Sequence, residues 1–242
     1  MDLTGKTVLI TGAAVRVGRV MAKAVAQAGG NVVIHYGSSD RDAKNLKREI
    51  EALGAKAYLL QADFENPEQS AQLIQRSQEF GALYALVNSA SIFENLDLQN
   101  TNLENWQRHL DINLTAPFLL SRAFWKAAQA SGQEGRIVNI LDWRALRPGA
   151  DHLPYTVSKA ALAALTQSLA VAMAPRVIVN GIAFGAILPP SDGGVSKNLL
   201  KHIPAGRWAE LDEVGQTLLF LLTGPRYITG EIVYLDGGRH LV

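Results

Sequence analysis

Cysteine is absent from the 242 residues, which removes disulfides, thiolate catalysis and cysteine-based metal sites from the available chemistry. An excess of charge is missing too. The 23 Lys and Arg nearly balance 22 Asp and Glu, for a net charge of +1, so the chain lacks the electrostatic footprint of a nucleic-acid binder. Five histidines are present, His35, His109, His152, His202 and His240, but they show no ligand spacing, and no metal site is expected. No charged-then-apolar leader follows Met1, and no apolar run reads as membrane-spanning. These absences leave a soluble cytoplasmic protein with a small-molecule partner as the expectation, engaging neither nucleic acid nor membrane.

Hydrophobic residues make up 48% of the chain and charged residues 19%, a normal globular balance. Short apolar runs alternate with amphipathic stretches throughout. Strands are predicted at Thr7–Thr11, Asn31–His35, Lys56–Gln61, Tyr84–Asn88, Gly135–Leu141, Val177–Ile182 and Glu231–Leu235. Helices are predicted at Val17–Ala28, Arg41–Leu53, Pro67–Glu79, Asn105–Ala130, Tyr155–Ala174 and Glu213–Leu222. Such alternation implies βαβ units with right-handed crossovers. The fold class is therefore α/β, a doubly wound parallel sheet of Rossmann type, with residues 1–242 forming one domain. Phe184–Ala205 is rich in Pro and Gly and long for a connection. It reads either as a substrate loop or as a surface excursion.

The first predicted strand runs straight into Thr11-Gly-Ala-Ala-Val-Arg-Val-Gly18 and a helix. A small-residue turn there lets backbone N–H groups meet a pyrophosphate at the positive helix end. Gly12 suits the tight turn and Gly18 close helix–strand packing, with Arg16 and Val17 between them. Arg16 stands where many such loops have glycine; it can lie over a ligand or be a solvated charge. His35 and Tyr36 end the second strand. No acidic residue directly follows, and Ser38 and Ser39 stand there with Arg41 near. That pattern leaves room for a 2′-phosphate and favours NADPH over NADH. Asp40 is read as the cap of the next helix. Asp63 and Phe64 read equally as an adenine contact or as turn plus core.

Tyr155 and Lys159 are four residues apart on a predicted helix and share a face. A phenol titrates near 10, and a neighbouring cation is expected to lower that value and make a usable general acid. Asp142 lies thirteen residues before the tyrosine. An ionised carboxylate only accepts hydrogen bonds. Beside a carbonyl it would repel the developing oxyanion; it suits a substrate with N–H donors, such as an aminopyrimidine-fused ring. If protonated it donates instead, and a plain capping role is the other reading. Trp143 and Arg144 follow it, as pocket lining or as surface.

Thr11-Gly12, Gly18, Asn88-Ser89-Ala90, Asn113, Tyr155-Thr-Val-Ser-Lys159 and Asp236-Gly-Gly238 stand in the order of the short-chain dehydrogenase/reductases, which the chain resembles over essentially its whole length. The resemblance implies hydride transfer from a nicotinamide, with Tyr155 as proton donor and a homodimer or homotetramer as the assembly. It implies that Lys159 holds the nicotinamide ribose and that Asn113 anchors a water. It implies too that Asn88, Ala90, Gly185 and Ile187 border the cofactor. Asp142 replaces the family's usual serine, and Arg16 the second glycine of its turn. In both respects, and in Asn88-Ser-Ala-Ser-Ile-Phe93, the chain resembles the pteridine reductase branch. That likeness implies that Phe93 stacks on a pterin and Ser91 meets its polar edge; in the loop that starts at Ile187, Leu188 and Pro189 are candidate apolar walls. From the residues alone, Phe93 could equally be core. Phe184 stands where the family has proline, and either loosens that turn or covers the nicotinamide. The expectation is an NADPH-dependent pterin reductase; the rivals are a 3-oxoacyl or other carbonyl reductase, and a non-catalytic dinucleotide sensor.

Overall fold

The computed structural model describes residues 1–188 and 199–242. Among them, seven strands pair in parallel in the order β3-β2-β1-β4-β5-β6-β7, as expected. They are β1 (Thr7–Ile10), β2 (Asn31–Tyr36), β3 (Ala57–Gln61), β4 (Leu83–Asn88), β5 (Gly135–Asp142), β6 (Val177–Phe184) and β7 (Ile232–Leu235). The helices are α1 (Arg16–Gln27), α2 (Asp40–Ala52), α3 (Pro67–Ser77), α4 (Leu103–Leu110), α5 (Ala116–Ser131), α6 (Leu153–Met173) and α7 (Leu211–Thr223).

Period-two alternation splits each central strand between two cores. Val8 and Ile10 of β1, with Val32 and Ile34 of β2, pack against Met21 of α1, Leu46 of α2 and Leu218 of α7. Leu9 and Val33 point the other way, toward Leu73 of α3, Leu120 and Phe124 of α5, and Leu169 of α6. Strand order reverses between β1 and β4. Such a switch point opens a crevice beyond the strands' carboxyl ends, where Thr11 and Asn88–Ala90 lie. Thr11 Oγ1 pins the two strand ends together by accepting from the N–H groups of Ser89 (2.9 Å) and Ala90 (3.0 Å).

Two sequence expectations need correcting here. The helix predicted at 105–130 is α4 and α5 joined by a π-turn, Asp111–Thr115, that contains Asn113. Such a turn is short and sits inside an otherwise helical stretch, and its composition does not mark it. Secondly, α6 is 21 residues long and apolar enough by length and composition to cross a membrane. Here it packs on the sheet beside β5 and β6, and its buried face carries Tyr155 and Lys159.

Candidate active site

The turn after β1 has the backbone that its sequence demanded. Gly12 has φ +63°, and a Cβ there would approach Ala90 Cα to 2.9 Å. At Gly18 a Cβ would meet the Gly12 carbonyl oxygen at 2.1 Å, which locks helix α1 against the turn. Arg16 is itself left-handed, φ +50°, a conformation that glycine takes without strain and that explains why the position so often holds one. Val15 precedes α1 and offers no side-chain cap, and the first turn carries no acid. The N–H groups of Val17 and Gly18 have no intrahelical acceptor, so this end suits an anionic pyrophosphate.

At the end of β2, Ser39 makes no side-chain cap bond, and Ser38 and Arg41 are exposed. These groups fit a 2′-phosphate. Asp40 does not cap α2 but opens it; its carboxylate pairs with Lys44 (2.8 Å) and accepts from the Tyr36 hydroxyl (3.1 Å). Tyr36 is itself buried. His35 is buried as well and braces the turn from behind. Gly12 N–H donates to its Nδ1 at 3.1 Å, and its Nε2 donates to the Ala62 carbonyl at 3.1 Å. Phe64 stacks on the imidazole with ring centroids 4.2 Å apart, so Phe64 is core, while Asp63 closes its own turn on Glu65 N–H. The buried side chains of His35, Tyr36 and Phe64 thus support the turn from within.

Burial lowers the His35 pKa from 6.5 to about 4, against the opposing pull of the Ala62 carbonyl. A base whose pKa is depressed by folding binds fewer protons folded than unfolded, so stability present above pH 6.5 is lost as the pH falls toward 4. The contribution is about 3 kcal/mol. Thermal unfolding followed from pH 7 to pH 4 should show a steeper decline in the native chain than in His35→Gln. Parallel curves would refute the assignment.

Asp142, Tyr155, Lys159, Ser91, Phe93 and Asn113 converge, as predicted, beyond the ends of β4 and β5. Tyr155 Oη donates to Asp142 Oδ2 at 3.0 Å, and Asp142 Oδ1 accepts from Arg144 N–H at 2.9 Å. The two readings of Asp142 thus coexist: one oxygen caps the turn at Trp143–Ala145 and the other holds the phenol. Lys159 Nζ, buried, donates to the Ile140 carbonyl at 2.8 Å. Burial brings its pKa down from 10.5 to about 8, against the pull of Asp142. Burial also raises the pKa of Asp142, opposed by its bonds to Arg144 and Tyr155.

One expectation is reversed. The Tyr155 pKa is raised well above 10, first by burial and then by the charge of Asp142 and the bond to it. The carboxylate, not the ammonium, dominates the phenol, because Lys159 is turned toward the strand backbone.

Asn113 differs from expectation in mode. Its Nδ2 donates to the Ile92 carbonyl (3.1 Å) and Ser158 Oγ (3.0 Å), while its Oδ1 accepts from Ile92 N–H (2.9 Å) and Ser91 Oγ (3.1 Å). Both amide protons and both lone pairs are used, so the side chain clamps the Ser91–Ile92 segment and has no capacity left to anchor a water. Phe93 is 51% exposed. It meets Tyr155 nearly perpendicularly, with centroids 4.6 Å apart, and so is not core. Asn88 turns inward, to Ser121 and Asn139, leaving the Ala90 backbone against Gly12.

Beyond β6, Gly185 lies so close to Asp236 that a Cβ would come within 2.6 Å of it. Phe184 and Ile187 are buried in the core on the α1 side of the sheet, and Leu188 packs against that same core. Leu188 is half-buried there, and Phe184 stands in the proline's place as a packing residue. Pro189 and the rest of residues 189–198 of the expected substrate loop lie outside the described residues. Sequence reasoning left Trp143 undecided; it is covered by the Arg239 guanidinium at 4.0 Å and flanked by Arg144 at 5.4 Å. It also passed over His152, which stacks on Phe93. No sequence signal marked it, since His152 lies just outside α6 with a left-handed backbone and its partner Phe93 is distant in the chain.

Comparison with known proteins finds relatives along nearly the whole chain. A family model described as enoyl-(acyl carrier protein) reductase matches residues 12–240. A 3-oxoacyl-(acyl-carrier-protein) reductase from Synechocystis sp. is 34% identical over 241 residues, spanning 98% of this chain and 97% of the relative. Among solved structures, FolM alternative dihydrofolate reductase 1 from Brucella canis, complexed with NADP, has a TM-score of 0.91 at 34% identity and covers 100% of this chain and 97% of its own. A short chain dehydrogenase from Burkholderia cenocepacia in complex with NADP also gives 0.91 at 34% identity, with 99% of both chains covered.

Proposed function

This chain belongs to the short-chain dehydrogenase/reductase family, and we propose that within it the protein is an NADPH-dependent reductase of pterins, such as dihydropterin or dihydrofolate-like compounds. The observation that carries the reading is the buried Asp142 carboxyl bonded to the Tyr155 hydroxyl, at the position where carbonyl reducers keep a serine.

NADPH bound across the crevice would supply the hydride for a ring carbon of a C=N bond. The uncapped N-terminus of α1 would hold the diphosphate, Ser38, Ser39 and Arg41 the 2′-phosphate, and Lys159 the nicotinamide ribose. Each Asp142 oxygen already accepts one protein donor and has a second lone pair for an N–H of the pterin edge. Tyr155 donates its hydroxyl proton to the ring nitrogen. Its raised pKa makes the resulting phenolate costly, so the phenol takes up a proton again from solvent at once. The exposed face of Phe93 receives the flat ring and orients it, with Ser91 and Arg16 at its edges. We take the protein to work in the cytoplasm as a homotetramer or homodimer.

The test is NADPH oxidation with dihydrobiopterin and dihydrofolate, set against an aliphatic 3-oxo ester. Turnover of the pterins is expected. Brisk ketone reduction with none of the pterins would replace this reading by the carbonyl-reductase one, which the Synechocystis relative favours.

A further inference from the structure

His152 is absorbed by no role so far, yet it is among the most constrained side chains at the mouth of the site. Its backbone is left-handed, φ +51°, and it immediately precedes α6 without capping it. Its side chain points instead to the segment that carries Phe93. Nδ1 lies 2.8 Å from the Glu94 carbonyl oxygen; a carbonyl only accepts, so Nδ1 carries the proton. The imidazole lies flat on Phe93, with centroids 3.9 Å apart and planes 12° apart. Next door, Leu153 N–H donates to the Leu96 carbonyl at 2.7 Å. The Phe93 segment is thus fastened at both ends, by Asn113 at Ser91–Ile92 and by His152–Leu153 at Glu94–Leu96.

Phe93 has one face under His152 and stands perpendicular to Tyr155, and about half of its surface is exposed. We propose that His152 is a positioning residue that determines specificity: it fixes the plane of Phe93 beside the Tyr155 hydroxyl, so that its other face selects flat aromatic rings over aliphatic substrates. This deepens the proposed function and rests on its placing of substrate against Phe93. An unsupported Phe93 could rotate about χ1 and present an edge, which stacks less well on a heterocycle.

The experiment uses the full-length enzyme with NADPH, assayed on dihydrobiopterin and on an aliphatic 3-oxo ester. In His152→Ala, KM for dihydrobiopterin should rise about five- to tenfold, the size of a lost aromatic pair, with kcat and the ester KM nearly unchanged. Dissociation constants from biopterin fluorescence quenching should move with KM. His152→Phe keeps a stacking ring and should restore most of the affinity. His152→Asn tolerates the left-handed backbone without a ring and should behave like the alanine variant, which separates loss of the stack from misfolding. A native KM in both ringless variants, equal rises for both substrates, or a phenylalanine variant no better than alanine would each overturn the inference. If the native enzyme turns over no pterin, the proposed function fails separately. The comparison then passes to aromatic and aliphatic ketones, where a selective rise for the aromatic ones supports His152 and an equal rise refutes it.

Discussion

Tyr155→Phe is expected to lower kcat/KM by about two to four orders of magnitude, the range that a positioned general acid supplies. The phenylalanine ring fits the same buried space, keeps the perpendicular contact with Phe93, and loses only the hydroxyl that bonds Asp142. That bond to a charged group contributes about 1.5–3 kcal/mol to stability, so the thermal midpoint should fall by roughly 3–12 °C and the variant should remain folded. The loss should appear in kcat, because the proton moves only as the transition state forms. Stopped-flow absorbance of NADPH mixed with dihydrobiopterin gives the chemical step directly. A loss below tenfold would mean that the proton comes from elsewhere, with Asp142 itself the next candidate.

Much of this site was legible because its parts are local. Asp142, Tyr155 and Lys159 lie on one strand, loop and helix, and helical spacing alone sets Tyr155 and Lys159 on one face. The strands were legible for a similar reason, since short apolar runs such as Val8, Leu9 and Ile10 mark strands buried on both faces. What stayed hidden depends on where a side chain turns after the backbone is placed. Spacing puts Lys159 beside Tyr155, but only packing shows that its ammonium reaches Ile140 and leaves Asp142 as the nearer charge. His35 and Phe64 end apolar runs, as cofactor contacts often do, yet they stack on each other beneath the turn. Asn113 was found by resemblance, but the saturation of its amide required the π-turn and the Ser91 segment to be seen together. His152 was passed over because a solitary histidine was judged by metal spacing, and its partner Phe93 is distant in the chain.

Asp142→Ser separates the two enzymatic readings, and the expected losses differ in sign. Serine offers a carbonyl oxygen a donor but no charge. If the substrate is a pterin, removing a buried charged acceptor should cost about 10- to 100-fold in kcat/KM, the worth of hydrogen bonds to a charged group. If the substrate is a ketone, the same change relieves repulsion of the oxyanion, and activity is retained or improved. The pH profile gives a second readout. In the native enzyme kcat/KM should fall above about pH 8, as Lys159 gives up its proton; Tyr155 titrates far higher. Asp142 holds the Lys159 pKa up and is among the causes that raise that of Tyr155. Without that charge both values decrease, so the alkaline limb of Asp142→Ser should move to lower pH. A limb that stays in place would show that the carboxylate is not ionised in the free enzyme. The acceptor that is meant to recognise the N–H edge of the pterin would then be missing from the resting site.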